Sequence, residues 1–195
     1  MAVETKLNDT VFLRKYNEAD PEGRLKIMMG NYATFPKMIR RIEKKVIYKI
    51  TVEHEYMRSH RRSELGVRIQ TSGKSDPTAD EAIINVSLEK ALETGNYDPG
   101  LIRGLENADE YEAAIRTINA MRLDYELLAE IIDDLREKDS RVIKQYLIEG
   151  KLFKEIADNE GRTYDAIKKR IEKIRTEIRD QIVDCLEMNC RGRIR

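Results

Sequence analysis

The stretch Leu147–Arg175, LIEGKLFKEIADNEGRTYDAIKKRIEKIR, constrains the fold of this chain more than any other. It reads as two short helices separated by a glycine turn, with the second helix crowded with cations. A helix-turn-helix needs a small residue where its two helices cross. It also needs a turn residue that tolerates positive φ, and aliphatic anchors on the second helix that face back into the pair. Ala157, Gly161, Ile167 and Ile171 fill these places in order. Thr163 is suited to cap the second helix, because its hydroxyl can accept an otherwise orphaned backbone N–H. The spacing then leaves Lys168, Lys169 and Arg170 near the outward face, where a DNA groove could receive them.

Composition agrees with a helical protein. Charged residues make up 37% of the 195 and aromatics 6%, with no Trp and four Pro. This balance favours long solvated helices over a β-rich fold. The net charge is zero, but the charges are segregated. Residues 37–68 hold ten Lys/Arg against four acids, residues 76–137 five against sixteen, and residues 138–195 fifteen against eleven. Two basic ends flanking an acidic middle suit a nucleic-acid binder with a separate scaffold, whereas an ordinary helix surface is the plainer account. Cys185 and Cys190 make no disulfide framework, the start of the chain has no apolar signal stretch, and the apolar runs are too short to span a bilayer. A cytoplasmic location without membrane contact is expected.

Along the chain, residues 1–35 are mixed, with a break at Asp20-Pro21-Glu22-Gly23. From Pro36 to about Arg58, Ile39, Ile42, Val46 and Ile50 share one face of a helix, surrounded by Arg40, Arg41, Lys44 and Lys45. Such a helix could lie on DNA, on a membrane surface or on an acidic partner, or be a core helix with a wet basic side. Residues 59–79 lose periodicity and read as a linker or ordered loop, with Asp76 or Thr78 available to cap a helix over 80–94. A turn at 95–100 precedes a long helical stretch from about Leu105 to Glu137, interrupted near Arg122. Asp139 is expected to cap a short helix reaching Ile148, and Glu149-Gly150-Lys151 to turn into the hairpin. The last helix keeps its stripe through Ile167, Ile171, Ile174, Ile178, Ile182 and Cys185 to Leu186, longer than a small hairpin can cover. The remainder must pack on the N-terminal part or on a second copy, so a homodimer is a candidate state.

No catalytic constellation emerges. His54 and His60 lack neighbours at zinc-ligand spacing, and neither a P-loop nor a nucleophile elbow occurs. Asp139 with Glu149 and Lys151 superficially resembles a nuclease set, but two of the three fall in a turn, so convergence on a metal is not expected. The chain is read as a non-enzyme without cofactor or metal.

The segment from about Glu137 to Arg175 resembles region 4 of bacterial sigma factors of the sigma-70 class. Tyr146, Gly150, Glu155, Ile156, Ala157, Gly161, Ile167, Lys168 and Arg170 carry the resemblance. Glu160 and Arg162 depart from it, since apolar residues normally flank the turn glycine, and Tyr164 is the candidate to cover the gap. The RIQTSGKSDPTADEAI stretch before the acidic middle is similar to phage and prophage late-gene regulators of the ArpU/RinA type. The resemblance implies promoter binding, docking on RNA polymerase, or both. Nothing before residue 130 looks like the aromatic-rich promoter-melting region of a full sigma factor.

The expected fold is all-α, a helical N-terminal region followed by a helix-turn-helix with an extended recognition helix. Its expected organisation is a basic helical region and linker (1–79), an acidic helical middle (80–137), the hairpin (138–190) and a basic tail (191–195). The expected function is sequence-specific binding of double-stranded DNA by a transcription regulator of phage or prophage origin, with RNA polymerase as a further partner. Thr163, Tyr164 and Asp165 would face base edges, while Lys168, Lys169, Arg170 and Lys173 would neutralise phosphates or read guanine. The alternatives are a DNA-packaging protein of the small-terminase kind and a polymerase-docking module.

Overall fold

The computed structural model describes residues 9–64 and 77–191, and every described element is helical. In chain order these are α1 (Asp9–Glu18), α2 (Pro21–Gly30), α3 (Phe35–Glu64), α4 (Pro77–Thr94), a 3₁₀ turn (Pro99–Leu101), α5 (Ala108–Asp134), α6 (Glu137–Leu147), α7 (Phe153–Glu160) and α8 (Tyr164–Arg191). The all-α expectation holds, and no described helix is long and apolar enough to cross a membrane. The chain forms two compact units. One comprises the described parts of Met1–Met38 and Ala120–Arg195, and the other is Ile39–Asn119. These borders do not follow the linear charge blocks.

The expected break at Asp20 separates α1 from α2. Asp20 caps α2 by accepting from the Gly23 amide at 2.8 Å, and Pro21 occupies the first turn, where a missing N–H costs nothing. Four other features differ from expectation. Helix α3 continues six residues past Arg58, so residues 59–64 are helix rather than linker. Residues 65–76, with the Asp76 cap, lie outside the described residues, and α4 already begins at Pro77. Helix α5 is unbroken at Arg122, because an arginine does not interrupt the backbone ladder. Asp139 sits in the first turn of α6, and the capping position is Arg136, which makes no side-chain cap. The carboxylate of Asp139 is engaged elsewhere.

In the first unit α8 packs on α2, α6 and α7. Ile167, Ile171, Ile174, Ile178, Ile182 and Leu186 are all buried, whereas Cys185 is exposed. The stripe therefore passes beside Cys185, and the chain covers its own seam. The side chain of Cys190 and the basic tail after Arg191 lie outside the described residues.

At the far end of α8 a polar cluster is enclosed. Asp124 accepts from the Tyr16 hydroxyl at 2.8 Å and from the Asn189 amide at 2.6 Å, and it lies 3.6 Å from a guanidinium nitrogen of Arg24. Arg24 is only 1% exposed, and its guanidinium carbon lies 5.3 Å from the centroid of the Tyr16 ring. A cation so enclosed persists only with a counter-charge and a polarisable face beside it, and Asp124 and Tyr16 supply these.

The second unit has its own buried face. Ile39, Ile42, Val46 and Ile50 of α3 are buried, as the spacing predicts, together with Leu88, Ala91, Leu92, Tyr111, Ala114, Ile115 and Ile118. Glu53 closes the start of α5: it accepts from the Asn107 amide at 3.3 Å, the Asn107 side chain at 3.2 Å and the Tyr111 hydroxyl at 2.6 Å, and also from the Glu106 amide. Burial pushes the Glu53 carboxyl upward, but these hydrogen bonds outweigh it and hold the group below its ordinary value.

Candidate nucleic-acid interface

Helices α6, α7 and α8 build the hairpin. Gly161 adopts φ 61°, ψ 40° after the last turn of α7, the left-handed conformation that favours glycine. The Arg162 amide donates to the Ala157 carbonyl at 2.9 Å and the Gly161 amide to that of Asp158 at 3.4 Å, the paired bonds of a Schellman end. Thr163 caps α8, its hydroxyl accepting from the Ala166 amide at 3.3 Å. Ile156, Ala157, Ile167 and Ile171 are buried where the helices cross. The local chemistry read from the sequence is present throughout the turn.

Glu160 departs from the apolar pattern, and the structure gives that departure a reason. Its side chain is 11% exposed and is gripped by Arg141 of α6 through two parallel bonds of 2.9 and 2.8 Å, with Gln145 donating at 3.1 Å. The fork geometry of guanidinium on carboxylate replaces an apolar contact with a directional one. The hydrogen bond from Arg141 is the main reason that the Glu160 carboxyl is held below its ordinary value. Tyr164 leaves the turn glycine uncovered and faces the start of α7 instead, with its ring centroid 6.1 Å from that of Phe153, which lies 5.3 Å from that of Tyr146.

The seven residues expected at DNA divide into two groups. Thr163, Tyr164, Asp165, Lys168, Lys169 and Lys173 are exposed along the N-terminal part of α8. Asp165, Lys169 and Lys173 fall four residues apart, on one helical row. The three lysines, and Arg162 beside them, make no ion pair among the described residues. Arg170 is different: it is half-buried and its Nε donates to Asp139 at 2.7 Å, so it braces α8 against α6. The other oxygen of Asp139 is 3.1 Å from Arg136.

Two arginines therefore occupy Asp139, and Glu149 pairs with Lys151 at 2.6 Å, so the superficial nuclease set does not converge. Among the described residues no group of three or more His, Cys, Asp or Glu is placed to hold a metal ion. His54 hydrogen-bonds the Leu101 carbonyl at 2.6 Å, and the His60 ring lies 3.9 Å from that of Tyr56.

Residue-by-residue reading of the sequence missed Arg141 and Gln145, which hold the turn from another helix. The only signal available was the acidic residue at 160, where an apolar one was expected. Compared with protein-family models, with curated proteins and with solved structures, the chain matches none of them.

Proposed function

We propose that this chain is a sequence-specific, DNA-binding transcription regulator, of the region-4-like kind found among phage and prophage late-gene regulators, and that the N-terminal third of α8 enters the groove. One observation carries the reading. The first turns of α8 expose Thr163, Tyr164, Asp165, Lys168, Lys169 and Lys173, with the lysines making no ion pair among the described residues, while the opposite stripe of the same helix is fully buried. A rigid helix offering cations and hydrogen-bonding groups at its N-terminal end has the chemistry for base edges and phosphates. Tyr164 and Asp165 sit where base edges would be, and Arg162 and the three lysines sit where phosphates would be. Arg170 serves the hairpin, holding the helix against Asp139.

Four neutralised phosphates would give a slope of about −3.6 in log affinity against log salt. The test is selection from a pool of random duplexes over a salt series, with sequencing of the bound fraction. A recovered motif with a steep slope is the expected result; salt-independent binding, or none, would overturn the reading.

Docking on RNA polymerase is a second reading, favoured by the exposed side chains of Ile148 and Leu152 at the turn that opens the hairpin. Charge reversal at Lys168 and Lys169 separates the two. It should abolish binding to duplex in the first reading and leave polymerase binding unchanged in the second.

A further inference from the structure

We infer that the second unit, Ile39–Asn119, is a self-association surface, in which the outer face of α3 receives the outer face of α4 from a second copy of the chain. Five large apolar side chains of this unit, Tyr48, Val52, Tyr56, Ile83 and Val86, expose between 43% and 71% of their surface. On α3, Arg40, Lys44, Tyr48, Val52 and Tyr56 follow one another every four residues, a row about 24 Å long that winds about 40° round the helix at each step. Its first half is cationic and its second half aromatic and aliphatic. On α4, Ile83 and Val86 lead into Glu89 and Glu93, so apolar groups are followed by acids.

The two faces are complementary in both respects. Arg40 and Lys44 on one helix, and Glu89 and Glu93 on the other, are exposed and make no side-chain ion pair among the described residues. Within one copy the Thr51 hydroxyl donates to the Asn85 side-chain oxygen at 3.0 Å, tying α3 to α4, while Tyr48, Val52 and Tyr56 border Glu106, Asn107 and Glu110 at the start of α5. A twofold arrangement would set α3 on α4 of the other copy twice over, each pairing repeated by symmetry. It would remove the tyrosines, Val52, Ile83 and Val86 from water, the usual reason for contiguous apolar groups outside a core. This surface is separate from the stripe of α8, which the chain covers itself.

The experiment is sedimentation of the full chain across the micromolar range, with two charge-reversed variants. Arg40→Glu/Lys44→Glu alters only the α3 row, and Glu89→Lys/Glu93→Lys only the α4 row. The wild type should sediment as a dimer, and each variant alone should dimerise at least about tenfold more weakly, because like charges then face one another. Mixing the two variants in equal amounts should restore the dimer, since both reciprocal pairings become complementary again. Circular dichroism confirms that each variant remains helical.

A wild type that is monomeric throughout would overturn the inference. So would a dimer that neither variant weakens, or variants that fail to complement one another when mixed. A monomer whose affinity for duplex falls with Arg40→Glu/Lys44→Glu would reassign the α3 row to nucleic acid.

Discussion

Helices α3 and α8 have nearly the same length, 30 and 28 residues, and both carry an isoleucine-rich stripe with a cationic rim. Their outer faces differ. On α8 the cations of the first turns stand among polar neighbours and the half-exposed ring of Tyr164, and the large apolar groups of the stripe lie inside the first unit. On α3 the cations give way to Tyr48, Val52 and Tyr56, which face water. A rim of lysines on a largely polar face suits a highly charged, hydrated surface, and the same rim beside a run of apolar groups suits a surface that excludes water. Charge patterning alone makes the two helices look alike; what stands between the charges separates them.

The largest effect that could break this contrast lies where α8 is tethered. Asp124→Ala should cost about 3–5 kcal/mol in chemical denaturation, because it leaves Arg24 buried without its counter-charge. Adding Arg24→Met should recover part of that loss. A cost under about 1 kcal/mol for the single change would mean that Arg24 is not held by the pair.

Next come the two stripes themselves. Ile178→Ala should destabilise by about 2–5 kcal/mol, whereas Tyr48→Ala, measured at high dilution, should stay within about 0.5 kcal/mol. Equal costs would erase the distinction between an inward and an outward apolar row.

A smaller and purely functional effect is expected from Lys168→Glu/Lys169→Glu. Duplex affinity should fall at least tenfold, about 1.4 kcal/mol, with the unfolding midpoint unchanged. A fall in the midpoint would assign these lysines to the fold.

The smallest effect belongs to Glu53 in the second unit. Its carboxyl is held below the ordinary value in the folded protein, so its ionised form stabilises the fold above that value. The contribution disappears as pH falls through the depressed value. Acid titration of stability should show this loss, and Glu53→Gln should flatten that part of the curve.

The hairpin was legible in the sequence because its determinants are local. A glycine at the turn, a threonine one place before the second helix and isoleucines three and four apart each act within a few residues. What escaped depends on partners far away in the chain: Arg141 reaches Glu160 across 19 residues, and Arg170 reaches Asp139 across 31. Arg170 has a type and position that suit a DNA contact, and its bond to Asp139 gives it a structural task that the sequence alone does not reveal. The expected interruption near Arg122 has a related origin. Asp124 sits in the same polar stretch, yet it is buried and bonded to Tyr16 and Asn189, residues 108 and 65 positions away. Helices α1 and α2 were unreadable because their buried set includes Arg24 and Asp9 beside Phe12, Tyr16 and Leu25, which leaves no clear apolar row.

The long α8 has a further consequence. It is capped by Thr163 at one end, tethered through Asn189 to Asp124 near the other, and buried along its inner side between. Its exposed first turns are therefore already ordered before any ligand arrives. An isolated segment of this composition would have to become helical on binding, with the accompanying loss of conformational entropy. Here that loss belongs to folding, and association at the tip would leave the helix content of the protein unchanged.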